Sequence, residues 1–147
     1  MMRCRTRTQR NRDAFTILEL MIVVALIAIV VAVALPSLQH SRKAASSTQA
    51  IGLLKTTVAI SEQYYVRFGE YANTETDFVN AGLMPDYNNN SNAGYSFAYT
   101  STPSSWTMTA NPKDPGVTGD NYYFVDQSGV IRFDSAAVAD ATSTPVD

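Results

Sequence analysis

A single run of apolar residues limits what this chain can fold into. Residues 20 to 35 are sixteen consecutive residues without a polar side chain. Together with residues 15 to 19 they form a segment of 21 residues. As an α-helix this segment would be about 31 Å long, enough to cross a hydrocarbon core of about 30 Å. Because it is apolar on every side, it cannot be an ordinary surface helix.

The charges of the chain are divided by this apolar run. The first fourteen residues carry five arginines and one aspartate, whereas residues 15 to 147 carry six basic and twelve acidic side chains. Arginines beside a membrane segment resist translocation, so we expect the amino terminus in the cytoplasm and the body outside it. An acidic body gives no electrostatic reason to bind nucleic acid. The one cysteine, Cys4, precedes the run, which excludes a disulfide framework in the body.

Composition alone leaves three interpretations of the run open. The Ala-x-Ala at residues 32–34 suits a secretory signal peptide cleaved after Ala34. The length of the run suits a plain single-pass anchor, and also an anchor that loses its basic head by cleavage before the run. Glu19 favours the last interpretation, because a carboxylate in hydrocarbon costs about 2.5–3.5 kcal/mol and is usually retained for a partner.

Helical spacing continues beyond the run. It predicts one long helix to about Phe68, with Gly69 as the C-cap. Pro36 lacks a backbone donor and clashes with the preceding turn, so it predicts a kink in this helix, and Gly52 is a second weak point. The expected apolar stripe of the continuation comprises Leu38, Ala45, Ile51, Leu54, Val58 and Tyr65.

The rest of the chain predicts a small antiparallel sheet. Four segments alternate or cluster apolar residues, "YSFAYT", "SWTMTA", "NYYFV" and "VIRF", and residues 126–129 predict a hairpin turn between the last two. A short helix is expected within residues 74–83 and a polar loop at 85–94. The tail, residues 135–147, is small and polar, and we expect it to be mobile. The fold class is therefore α+β, a long helix on about four strands.

Residue types that carry catalysis are sparse. His40 is the only histidine, and no phosphate-binding loop, paired metal motif or nucleophile elbow is present. Asp114, Asp120 and Asp126 recur every six residues, which does not match a compact calcium loop. We expect no enzymatic activity, no cofactor and no metal.

The segment "AFTILELM" (residues 14–21), the apolar run and Pro36 together resemble the amino-terminal signature of type IV prepilins and type II secretion pseudopilins. The resemblance covers residues 12 to 36. It implies that a prepilin peptidase cuts between Ala14 and Phe15 and methylates the new amine of Phe15. Members of the family usually carry glycine before the cut, where this chain has Ala14, which is also small. The resemblance thus implies a leader at residues 1–14 and a transmembrane and assembly helix at 15–36.

The same resemblance implies a structural role. The chain would be a pilin that polymerises into a type IV pilus, with Glu19 set against the Phe15 amine of a neighbouring subunit. Its partners would be copies of itself, the prepilin peptidase/methyltransferase, the inner-membrane assembly platform and, before assembly, the lipid bilayer. The amphipathic continuation (37–69) and the globular part (70–134) would lie outside the cytoplasm, and later in an extracellular or periplasmic filament. The alternatives are a type II secretion pseudopilin and a single-pass binding module that does not polymerise.

Overall fold

The computed structural model describes residues 15–83 and 94–146, so the leader and most of the 85–94 loop lie outside the described residues. The chain divides into two units, one up to Ser37 and one from Leu38 onward. The elements are α1 (Ile17–Phe68), α2 (Glu75–Asn80), β1 (Tyr95–Thr102), β2 (Ser105–Pro112), β3 (Tyr122–Asp126), β4 (Arg132–Asp134) and β5 (Thr144–Pro145). The strands form one antiparallel sheet in the order β1-β2-β3-β4-β5. The predicted α+β class is confirmed.

The long helix has the predicted extent. α1 is helical on both sides of Pro36, so the proline does not end it, and the kink expected there stays a prediction. The helix ends at Phe68 because Gly69 adopts a φ of 81°, in the left-handed region that favours glycine. The Gly69 N–H donates to the Tyr65 carbonyl at 2.8 Å and closes the last turn.

The buried face of α1 differs from the predicted stripe. Its buried residues recur every three or four positions and include small and hydroxyl side chains: Ala50, Leu54, Thr57, Ile60 and Ser61. Only Leu54 is shared with the prediction, since Ile51 and Val58 are half-buried and Leu38, Ala45 and Tyr65 are exposed. The reason is steric. The sheet supplies the bulk of the core, so the helix face against it has to be small.

The inner face of the sheet carries the large core side chains. β2 alternates strictly, with Trp106, Met108 and Ala110 buried as predicted. Register places Met108 between Tyr99 of β1 and Val125 of β3. Trp106 and Met108 are almost fully removed from solvent. Burying a side chain of this size stabilises a fold by about 1.5–3 kcal/mol, which makes these positions the centre of the second unit.

The aromatic residues near the end of α1 pack on one another and on α2. The Tyr64 ring lies 4.4 Å from Phe68 and 5.6 Å from Phe78, measured between centroids. Phe78 of α2 is fully buried and lies 5.5 Å from Tyr99 of β1. Thr74 is the N-cap of α2, and its N–H donates to the Asp77 carboxylate at 2.9 Å. This contact is half of a capping box.

The carboxyl-terminal segment folds back on the sheet. β5 pairs with β4, and the Val146 N–H donates to the Ile131 carbonyl at 2.8 Å. Ala139 is buried. The sequence predicts about four strands and no element after Ser135, so β5 is a correction to the strand count. Two residues are too few to show an alternating pattern. The mobility expected for residues 135–147 stays a prediction.

Candidate assembly surface

The start of α1 is fixed by a hydrogen-bonded cap. The Glu19 N–H donates to the Thr16 side-chain hydroxyl at 3.2 Å, and the Leu20 N–H donates to the Thr16 carbonyl at 3.2 Å. Thr16 is therefore the N-cap, and Glu19 lies at the third helical position. A carboxylate in the first turn is favoured by the helix dipole by about 0.3–1 kcal/mol. Our sequence analysis missed this cap, although Thr-x-x-Glu before an apolar run is a recognised pattern.

Every residue from Phe15 to Ser37 is exposed in the isolated chain. The large apolar side chains between Phe15 and Leu35 are 45–80% accessible to solvent. Soluble monomers rarely expose a contiguous apolar patch of more than a few hundred Å². By length and composition, α1 also contains a segment able to cross a membrane. We call residues 15–35 the apolar segment; its environment must be lipid, or apolar side chains of other chains.

Glu19 is the only ionisable side chain between residues 15 and 39. It is exposed, as is Phe15. In this chain Phe15 is still joined to Ala14, so its nitrogen is an amide, and a charged partner for Glu19 at this position requires cleavage. Ala14 lies outside the described residues. The pairing of Glu19 with Phe15 of a neighbour therefore stays a prediction.

The apolar segment is not uniform in shape. Ala25 and Ala28 leave a shallow depression bordered by Leu20, Met21 and Val24. Small residues on membrane helices let neighbouring backbones approach closely. A side chain from another helix fits such a depression without displacing a polar group.

The acidic residues considered for a metal site have structural contacts in the second unit. The Asp120 carboxylate accepts from the Lys43 ammonium group at 2.8 Å. The Asp126 carboxylate accepts from the Ser128 N–H at 2.9 Å within the turn before β4. In that turn the Gly129 N–H donates to the Asp126 carbonyl, which confirms the predicted hairpin. Within residues 15–83 and 94–146, no three histidine, cysteine or acidic side chains group as metal ligands would.

Comparison with known proteins gives a family match and several relatives. A family model described as the prokaryotic N-terminal methylation motif matches residues 9–35. The chain is 36% identical over 74 residues to a protein of Thermus thermophilus named "Type IV wide pilus major component PilA4", covering 50% of this chain and 56% of that protein. It is 39% identical over 65 residues to a "Fimbrial protein" of Neisseria meningitidis serogroup A, covering 44% of this chain and 38% of that protein.

In these matches the chain is similar to type IV pilins. The chain matches a little over half the length of the Thermus relative and less than two fifths of the meningococcal one. The methylation motif ends within the apolar segment, at the residue before Pro36. The family model therefore covers the amino-terminal signature and the apolar segment.

Proposed function

We propose that this chain is a pilin, a structural subunit of a type IV pilus, and that it polymerises through the apolar segment of α1. The observation that carries this proposal is that residues 15 to 37 are exposed throughout in the isolated chain. A bilayer would cover this apolar surface before assembly, and the equivalent helices of neighbouring subunits would cover it afterwards. The second unit has a hydrophobic core of its own.

Cleavage between Ala14 and Phe15 would supply a charged partner for Glu19. The new amine has a pKa near 7.7–8.0 in a free chain, and methylation keeps its positive charge. At about 4 Å, opposite charges attract by about 1 kcal/mol in water and by about 4 kcal/mol at an effective dielectric constant of 20. A subunit displaced along the bundle would leave both charges unpaired, at a substantial cost. Glu19 would thus set the axial register of the filament.

The partners follow from this sequence of events. A prepilin peptidase/methyltransferase would process residues 14 and 15 while the apolar segment lies in the inner membrane. An assembly platform in that membrane would then move the subunit into the filament. The body would lie outside the cytoplasm throughout, because the basic head resists translocation. Catalysis has no role in this proposal, since the subunit acts by packing.

Mass spectrometry of filaments sheared from cells tests the proposal. We expect a chain that begins at methylated Phe15. A chain that begins at Leu35 would instead show signal-peptide cleavage and would overturn the proposal. The second candidate, a type II secretion pseudopilin, has the same processed terminus, so location separates the two. Pilus subunits are recovered from the cell surface, whereas pseudopilus subunits remain in the periplasm. The names of the relatives favour the pilus.

A further inference from the structure

The part of α1 that belongs to the second unit changes character at Ala50. From Ala50 onward the helix has a buried face on the sheet, whereas none of residues 38–49 is buried. Among residues 38–49, which we call the strapped section, the half-buried side chains are Lys43, Ser46 and Ser47. Because this section contributes no side chain to the hydrophobic core, apolar burial does not hold it in place.

The loop between β2 and β3, residues 113–121, contacts the strapped section, and we call this loop the strap. The Lys43 ammonium group donates to the Asp120 carboxylate at 2.8 Å. The Lys43 side chain is 20% exposed and the Asp120 side chain 59% exposed, so water reaches the pair. Dissolved salt therefore screens the attraction between the two charges.

A second contact passes through the Tyr95 hydroxyl. This hydroxyl donates to the Asn121 carbonyl at 2.9 Å and lies 3.1 Å from the Ser47 hydroxyl oxygen. Because a tyrosine hydroxyl has one proton, Ser47 is the donor in the second hydrogen bond. A Cβ added at Gly119 would collide with the Tyr95 hydroxyl, so the strap passes directly beside this group. Tyr95 thus connects the strapped section to the strap.

The strap keeps its shape through hydrogen bonds of its own. The Thr118 N–H donates to the Asp114 carbonyl at 2.9 Å, and the Gly116 N–H donates to the Gly119 carbonyl at 2.9 Å. The Asp114 N–H donates to the Thr118 hydroxyl at 3.1 Å. None of these bonds involves α1. The strap can therefore separate from α1 without losing its own structure.

The contacts of the strapped section are weak compared with those of a packed core. An ion pair in contact with water contributes little, because its charges are screened and two long side chains must be ordered. Native proteins open locally where buried apolar contacts are few. The next part of α1, in contrast, places Leu54 and Ile60 in the hydrophobic core. One continuous helix thus has a weakly held section followed by a firmly packed one.

We propose that the strap is a salt-sensitive latch, which opens and frees residues 38–49 while the core from Ala50 onward stays packed. Opening breaks the Lys43–Asp120 ion pair and the hydrogen bond from Ser47 to the Tyr95 hydroxyl, and water replaces both contacts. The freed section can then change its direction relative to the sheet. This inference concerns contacts within the second unit and does not depend on the proposed function. In a filament of the proposed kind, the latch would let each subunit adjust to its neighbours without losing its core.

Hydrogen–deuterium exchange of the full chain in an uncharged detergent, followed by mass spectrometry, tests this proposal. A short helix without packing is marginally stable in water, so amides of the strapped section should exchange faster than those of residues 52–61. Raising the salt concentration from about 0.01 M to about 1 M shortens the screening length from about 30 Å to about 3 Å. Exchange in the strapped section should then rise about two- to fivefold, the effect of losing one exposed ion pair. Asp120→Asn should exchange at the faster rate at both salt concentrations.

Asp114→Asn is the matched control, because it removes an exposed carboxylate from the same strap and leaves the Lys43 ion pair intact. It should exchange as the unaltered chain does. Tyr95→Phe removes the second contact and should speed exchange in the strapped section even at low salt. Equal exchange by Asp120→Asn and the unaltered chain would overturn the proposal. A rise of the same size in residues 52–61 would also overturn it, because the opening would then be unfolding of the whole second unit.

Discussion

The two halves of α1 solve different packing problems with one continuous helix. Residues 17–37 are exposed throughout, and from Leu20 to Leu35 no side chain is polar. Residues 38–68 bury only a narrow face, made largely of small and hydroxyl side chains such as Ala50, Thr57 and Ser61. The first half is exposed and packs on nothing within residues 15–83 and 94–146, whereas the second half packs on a sheet of its own chain. The uniformly apolar half is thus the part of α1 that needs an external partner. The half with a narrow face of small residues already packs on the sheet.

Glu19→Ala should give the largest effect and should act only on the first half. We expect filament yield to fall about tenfold or more, because the paired charges would be worth several times the ~1.4 kcal/mol that a tenfold change represents. Membrane insertion and removal of the leader should be unchanged. The free energy of unfolding of the second unit should stay within about 0.5 kcal/mol of the unaltered value. Yield is measured from sheared surface material, and unfolding from Trp106 fluorescence.

Glu70→Ala is the control for that comparison, because it removes an exposed carboxylate from the second unit. It should leave filament yield unchanged. Normal filaments from Glu19→Ala would show that the Glu19 carboxylate does not set the axial register. A large loss of stability in the second unit would instead show that the two halves of α1 are not independent.

Leu54→Ala and Leu38→Ala compare the same substitution within the second half. Leu54 is fully buried and Leu38 is 49% exposed. Leu54→Ala should lower the free energy of unfolding by about 2–5 kcal/mol through lost burial and a cavity. Leu38→Ala should change it by less than about 0.5 kcal/mol. Urea unfolding followed by the fluorescence of Trp106, the only tryptophan, measures both. Equal losses would mean that the predicted stripe faces the core after all.

The first half of α1 was predictable because the prediction does not depend on which face of the helix is apolar. Sixteen apolar residues are apolar on every face, so neither the helix rotation nor a partner had to be known. Gly69 and the Asp126–Gly129 turn were predictable for a similar reason, since local backbone chemistry decides them. The alternation of Trp106, Met108 and Ala110 was sufficient to predict the buried face of β2, because every second residue of a strand lies on the same face of the sheet.

The buried face of the second half was not predictable from hydrophobicity. The prediction followed large apolar residues such as Leu38 and Tyr65, which the structure leaves exposed. The face that packs includes Ala50, Thr57 and Ser61, and it is selected by the bulk of side chains far away in the sequence. β5 was missed because its pairing depends on backbone hydrogen bonds to β4, which side-chain pattern does not report.

Alkaline pH should weaken the second unit. Burial raises the pKa of Tyr99 from 10.0 to about 12. Below pH 10 this tyrosine is neutral in both states, so its contribution is fully present. Between pH 10 and 12 the unfolded chain loses the proton first, and the free energy of unfolding falls as pH rises. Urea unfolding at pH 9 and 11, followed by circular dichroism, measures this loss.

Tyr99→Phe should reduce that fall between pH 9 and 11. At pH 9 the variant should itself be less stable by about 1 kcal/mol, because it lacks the hydrogen bond from the Tyr99 hydroxyl to the Ala72 carbonyl. Part of the fall should remain, since burial also raises the pKa values of Tyr71 and Tyr95. The same fall in both proteins would show that Tyr99 does not cause it.

Gly52→Ala should give the smallest effect, and of opposite sign. Gly52 is exposed within α1, and a Cβ added there meets no atom within 4 Å. Alanine should therefore raise the free energy of unfolding by about 0.5–1 kcal/mol, because it restricts the unfolded chain and favours helix. Urea unfolding of the variant measures this gain. A loss of stability would mean that a neighbouring element occupies the space beside Gly52. If filament yield falls while stability rises, the second half of α1 must bend or pack closely at Gly52 during assembly. Glycine at this position would then be required for filament assembly and not for folding of the subunit.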